Sequence, residues 1–262
     1  MKITNKFITA LTLSCSLMLS SFGVSAVPVT QLGFSLDGSG SVSTGNYNLM
    51  RTGLNAALAG IPTDGSIEIS VVAYGSGTAT VVDAVVLTAA SLPTIQAAIN
   101  NHNKAGGTTN TAGSINLLTS VMTGSVNFAD PGSKSLINLM TDGAPNSQSA
   151  SVAAATAASA AGIDALSIEA IGTGVSSAGA LANMLAMTFP TPAQILAINA
   201  TNIPNPIGGS WVVPVSDFTA LAPVLAAKVQ ASITTVPEPS LLAPFTIGLM
   251  GMGVSARRRM QG

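Results

Sequence analysis

The chain runs to 262 residues, room for one domain of about 200 residues with short segments at its ends. Charged side chains make up only 7% of it, and between Val27 and Val236 four basic residues (Arg51, Lys104, Lys134, Lys228) face nine acids, a net of −5. That balance leaves no basic stripe and excludes nucleic acid as a partner.

In chain order, Lys2 and Lys6, the apolar run from Phe7 to Val24 and the small residues Ser25-Ala26 form the three parts of a secretory signal peptide, so residues 1–26 are expected to be removed. The single cysteine, Cys15, falls inside that segment, and the mature chain would have neither a disulfide nor a thiol nucleophile. Gln31 to Leu36 then reads as a buried parallel strand, and Tyr47 to Leu58 as a helix stopped by Gly60-Ile61-Pro62. Ser66 to Tyr74 and Ala79 to Leu87 read as a hairpin turned by Gly75-Ser76-Gly77, the antiparallel edge that a mostly parallel sheet commonly carries. Ser91 is expected to cap a helix to Asn101 that carries Pro93 in its first turn.

A helix from Thr111 to Met122, a central strand from Lys134 to Met140, an alanine-rich helix from Gln148 to Ala161 and a strand from Ala165 to Ile171 continue the alternation. Helices are predicted over 178–187 and 193–200, then a strand over 211–215 and a closing helix over 217–233 capped by Ser216 or Asp217. This order specifies an α/β fold, three layers around a doubly wound, mostly parallel sheet, in a domain spanning 27–233.

Function concentrates at Asp37-Gly38-Ser39-Gly40-Ser41, on the turn between the first strand and the first helix. A carboxylate and two hydroxyls at alternate positions, with glycines between, can turn three oxygens toward one point, and an all-oxygen shell suits a hard cation such as Mg²⁺. Alone, the stretch also fits a capped turn. Two further pieces stand where they would complete a site: Gly106-Gly107-Thr108-Thr109-Asn110-Thr111 opens a helix, and the apolar strand Leu136 to Met140 ends in Thr141-Asp142-Gly143. His102, the only histidine, reads as a solvated cap and Trp211 as core, while the remaining acids read as solvation or capping. No GxSxG elbow, phosphate-binding loop or Cys/His metal spacing occurs, so no enzyme is expected.

The trio DxSxS, glycine-led TxT and strand-terminal TDG resembles the von Willebrand factor type A domain and its metal-ion-dependent adhesion site, over roughly Thr30 to Ala231. The resemblance implies that Ser39 and Ser41 ligate a divalent ion directly, that Thr109 joins them when ligand binds, and that Asp37 and Asp142 act largely through bound water. Thr109 rather than Thr108 fits TxT, with Thr108 standing where a glycine is common. The ion implied is Mg²⁺, with Mn²⁺ or Ca²⁺ as alternatives, and the partner a protein or matrix ligand that offers a carboxylate. The alternative is a structural matrix component in which the ion only stabilises.

Residues 234–262 hold a linker and then Pro237-Glu238-Pro239, apolar Leu241 to Ala256 and Arg257-Arg258-Arg259, an order that resembles the PEP-CTERM sorting tail of exported bacterial proteins. Its apolar helix would span about 24 Å against a hydrocarbon core of about 30 Å, a transient inner-membrane anchor with the arginines on the cytoplasmic side. The resemblance implies processing by an exosortase in a Gram-negative bacterium and a destination at the cell surface or in the extracellular matrix. Intact-mass measurement of protein from the native host should give a chain that begins near Val27 and ends near Pro237; a surface form still carrying Arg257 would refute sorting.

Overall fold

The computed structural model describes residues 30–233. The expected signal peptide and sorting tail lie outside the described residues. The strands are β1 (Thr30–Asp37), β2 (Asp64–Tyr74), β3 (Thr78–Thr88), β4 (Lys134–Thr141), β5 (Ala165–Ile171), β6 (Gln194–Ile195) and β7 (Trp211–Val215). They form one seven-stranded sheet in the order β3-β2-β1-β4-β5-β7-β6, in which only the β2–β3 edge pairing is antiparallel. Helices α1 (Thr44–Ala59), α2 (Leu92–Asn101) and α6 (Leu221–Ile233) pack on one face, and α3 (Thr111–Thr123), α4 (Gln148–Ala160) and α5 (Ala178–Leu185) on the other.

Alternation along β1 builds both cores. Leu32, Phe34 and Leu36 point to the α1/α6 side, where Tyr47, Met50, Leu54 and Leu58 of α1 meet them with no more than 1% exposure. Each such side chain contributes about 1.5–3 kcal/mol by leaving water. Leu49 of the same helix is 40% exposed, because the buried face follows the spacing of Tyr47, Met50 and Leu54. Trp211 is core as expected, its indole N–H donating to the Pro204 carbonyl at 3.1 Å.

The boundaries differ from expectation where side chains redirect the backbone. Helix α1 begins at Thr44 rather than Tyr47, because the Ser43 hydroxyl accepts the Asn46 N–H at 3.1 Å. Ser91 stands at the N-cap of α2 as expected, but its hydroxyl makes no capping bond and instead donates to the Val86 carbonyl and accepts the Thr88 N–H. The helix expected over 193–200 is absent: the N–H groups of Gln194, Leu196 and Asn199 donate across to Ser210, Val212 and Pro214, so the segment joins the sheet edge. Helix α6 starts at Leu221, four residues late, while the Asp217 carboxylate holds the Thr219 and Ala220 N–H groups in the preceding turn. That start keeps Pro223 in the first turn, where a missing N–H costs nothing.

Two acids expected at the surface are buried instead. Glu68 accepts from Gln31, Ser125 and Asn127, and Glu169 pairs with Lys228 of α6 at 2.5 Å, both members fully buried. The ammonium also sits 4.6 Å from the Trp211 ring centroid. Burial raises the Glu169 carboxyl and lowers the Lys228 amine, and each partner's charge opposes that shift. Lys228→Met alone is expected to cost about 3–5 kcal/mol in urea unfolding by stranding the carboxylate, whereas Lys228→Met with Glu169→Leu should recover most of it. Equal losses in the single and double variants would show that the pair does not fix α6 on the sheet.

Candidate functional site

Strand order reverses between β1, which leads leftward to β2, and β4, which leads rightward to β5. The crevice at the carboxyl ends of these two strands is where open α/β sheets bind ligands. Asp37 ends β1, fully buried, and its two oxygens face different loops. Oδ1 accepts the Ser39 N–H at 2.9 Å, and Oδ2 accepts the Thr141 hydroxyl of β4 at 2.6 Å. The carboxylate therefore fixes both the bend of the Asp37–Ser41 loop and its distance from β4.

Above it the hydroxyls run outward. Ser39 Oγ, buried, lies 3.0 Å from Ser41 Oγ, which is exposed and donates to Asp142 Oδ1 at 2.6 Å. The third loop is stitched to the first by backbone: Gly40 N–H donates to the Gly107 carbonyl and Gly106 N–H to the Gly38 carbonyl, each at 2.7 Å. Gly107 has φ +76°, and a Cβ there would sit 2.0 Å from Ser76 Oγ, so only glycine permits this approach.

The choice between the two threonines follows from their partners. Thr108 Oγ1 turns away, accepting from Asn146 Nδ2 at 2.9 Å and lying 3.4 Å from Ser76 Oγ. Thr109 is held by its backbone, its N–H donating to Asn146 Oδ1 at 2.8 Å and its carbonyl accepting the Asn146 N–H at 2.9 Å. Its hydroxyl faces the site: a Cβ built on Gly143 would lie 3.5 Å from both Thr109 Oγ1 and Ser41 Oγ. All five expected residues, Asp37, Ser39, Ser41, Thr109 and Asp142, thus meet at one crevice.

Sequence reasoning missed the braces. Thr141, inside the TDG stretch, carried a signal as a hydroxyl beside a strand-end acid; Asn146 carried none. His102 caps the C-terminus of α2 as expected, its N–H donating to the Ile99 carbonyl, but its ring is not free in solvent: Nδ1 lies 2.9 Å from the Tyr47 hydroxyl, and burial foremost, with Arg51 beside it, lowers its pKa.

Comparison with known proteins places the fold. The profile of the von Willebrand factor type A domain covers residues 32–196. The chain belongs to the von Willebrand factor type A domain family. No curated protein matches it at the sequence level. Among solved structures it is similar to proximal thread matrix protein 1 from the mussel byssus (17% identity, TM-score 0.59), covering 78% of this chain and 48% of that one. It therefore spans about half the length of the mussel protein, which is also known with a zinc-occupied MIDAS motif. It is similar too to the pilus adhesin SpaC of Lactobacillus rhamnosus GG (14%, TM-score 0.59, 78% and 30% covered). Manganese-loaded TRAP of Plasmodium vivax is a third (18%, TM-score 0.54, 76% and 72% covered). At these identities the likeness carries the fold alone.

Whether this type A domain's own residues suit a cation is decided by its donor set. Every group that converges is an oxygen, three hydroxyls and two carboxylates, as hard divalent ions require. Among the described residues no three His, Cys, Asp or Glu side chains gather to hold a metal, so hydroxyls would have to share the coordination at this crevice. The Asp142 carboxyl is pushed up, by burial foremost and further by the Asp37 charge, against the opposing Ser41 hydrogen bond. The Asp37 charge adds to the cost of ionising Asp142, and a cation bound beside that carboxylate would offset this cost.

The sign of the pH dependence follows. A carboxylate raised in the folded state favours folding below its unfolded pKa, and that contribution is lost as pH rises through the folded value. Without cation, Asp142→Asn should therefore melt above wild type at neutral pH, yet lose the gain that wild type shows on adding Mn²⁺. Cation affinity of wild type should fall on acidification at a pH above the usual carboxylate range. Thermal melts with and without Mn²⁺ between about pH 4 and 8 read both effects, and a cation-induced gain retained by Asp142→Asn would remove Asp142 from the site.

Proposed function

We propose that this domain is an exported adhesion module that binds a ligand carboxylate through one divalent cation at the β1/β4 crevice. The observation that carries the proposal is the run of oxygens from buried Asp37 through Ser39 and Ser41 to Asp142, with Thr109 facing the same point. Ser39 and Ser41 would hold the ion directly, Asp37 and Asp142 through water, and Thr109 on ligand engagement. A bound Mg²⁺, or Mn²⁺ or Ca²⁺ in its place, supplies a strongly electrophilic open position.

The chain's own residues set how strong that position is. Direct ligands that are neutral hydroxyls leave the positive charge largely uncompensated, while Asp37 keeps the hydroxyls in place by tying the loop to β4. Thr30 starts β1 and α6 runs back from the carboxyl end of β7 to Ile233, so the first and last residues of the folded domain lie at the pole opposite the site, an arrangement that suits tethering. Processing by an exosortase after transient inner-membrane anchoring is part of this reading, with the ligand a surface or matrix protein. Among the described residues no helix is long and apolar enough to cross a membrane.

Titration calorimetry with Mg²⁺ and Mn²⁺ should show one site. Asp37→Ala should abolish it, and Ser41→Ala should weaken it by about tenfold or more with little change in unfolding, since an exposed turn hydroxyl adds little to the core. Unchanged affinity in Asp37→Ala would defeat the proposal.

A further inference from the structure

A groove of about 440 Å³ opens from Ser41 and Asp142, passes Asn46 and Thr173, and ends against Asp217 and Phe218 at the β7–α6 turn. No basic residue lines it. Three of the four basic side chains of the domain are committed elsewhere: Lys228 is buried on Glu169, Lys134 pairs with Asp164, and Arg51 donates to the carbonyls of Asn100 and His102. Only Lys104 sends positive potential toward Asp142.

The far end of the groove carries a standing negative charge. Asp217 is fully exposed, and hydrogen bonds from the Thr219 hydroxyl foremost, and from the Thr219 and Ala220 N–H groups, hold its carboxyl below the usual range. All three bonds fall on Oδ1; Oδ2 meets only the Ser216 hydroxyl, at 3.3 Å, and keeps acceptor capacity toward the groove. Phe218 beside it is only 7% exposed and belongs to the core, so it anchors the turn that holds Asp217 at the end of the groove.

We propose that the groove selects a peptide in which the acidic side chain that reaches the Ser39–Ser41–Asp142 site is flanked by a lysine or arginine that pairs with Asp217. The same groove rejects uniformly acidic chains such as polyuronates. The proposal rests on the cation-binding reading above. A single carboxylate is accommodated by the bound cation, but every further carboxylate of a polyanion would enter a groove that holds a like charge and no counter-charge, which is how interfaces exclude wrong partners.

The test is fluorescence anisotropy on the full chain in Mn²⁺, with short labelled peptides carrying Glu-Lys, Glu-Ala or Glu-Glu at their centre, and an oligoglucuronate as the fourth probe. Asp217→Asn is the variant, since its amide oxygen can still accept the turn's N–H bonds. Glu-Lys should bind about two- to fivefold tighter than Glu-Ala, the range an exposed ion pair supplies, and Glu-Glu and the oligoglucuronate weaker than both. Raising the salt should shrink the preference, and Asp217→Asn should erase it while Mn²⁺ binding without peptide stays as in wild type. Oligoglucuronate binding as tight as Glu-Lys, or a preference that survives in Asp217→Asn, would overturn the proposal. Mn²⁺ binding with no response to any peptide overturns it as well, whereas no Mn²⁺ binding at all overturns the cation reading beneath it.

Discussion

The site depends on one carboxylate. Asp37 is fully buried at the end of β1, and a buried charge is tolerated only when hydrogen bonds replace the water it has lost. It receives them from two directions, the Ser39 N–H of its own loop and the Thr141 hydroxyl of β4, so satisfying the charge fixes the geometry. Tyr74 closes the floor, its phenol raised well above its ordinary range by burial first and by the Asp37 charge second, and therefore a neutral donor. Everything outward of Asp37 follows from that bend: Ser39 against Ser41, Ser41 against Asp142, and the glycine-led loop laid across both.

The second constraint is how little charge the domain spends on its surface. With 7% charged residues, stability comes from two apolar layers and from many small hydroxyl and amide contacts. Where charge is buried it is placed to specify arrangement. Glu68 gathers Gln31, Ser125 and Asn127 beneath the α3 side of the sheet, and the Lys228–Glu169 pair sets the register of α6 on β5. A helix shifted by one turn, about 5.4 Å, would break that pair inside a medium that penalises lone charges. The same economy leaves the candidate site as a place where negative groups converge with only Lys104 to send positive potential toward Asp142.

The sequence showed the layered fold and the five residues that gather at the crevice because each rests on local chemistry. Alternation in Leu32, Phe34 and Leu36 marks a strand wherever it occurs, and glycines between oxygen-bearing residues mark a loop that must bend sharply. What it concealed depends on partners distant in the chain. Residues 193–200 have helix-forming composition, and only β7 draws them to the sheet edge. Asn146 looks like an ordinary loop residue until it is seen bonding Thr108 and Thr109, and Glu169 reads as a surface acid until Lys228, many residues later, covers it. Thr109 is set apart from Thr108 by the same long-range brace, which spacing alone does not reveal.

The most direct measurement is a crystal structure of the domain grown with Mn²⁺, with anomalous data collected at the manganese edge. The account predicts a single peak in the crevice, bonded to the Ser39 and Ser41 hydroxyls, with Asp37 and Asp142 reaching it through ordered water. A crevice without a peak at saturating Mn²⁺, with Ser41 still donating to Asp142, would contradict it.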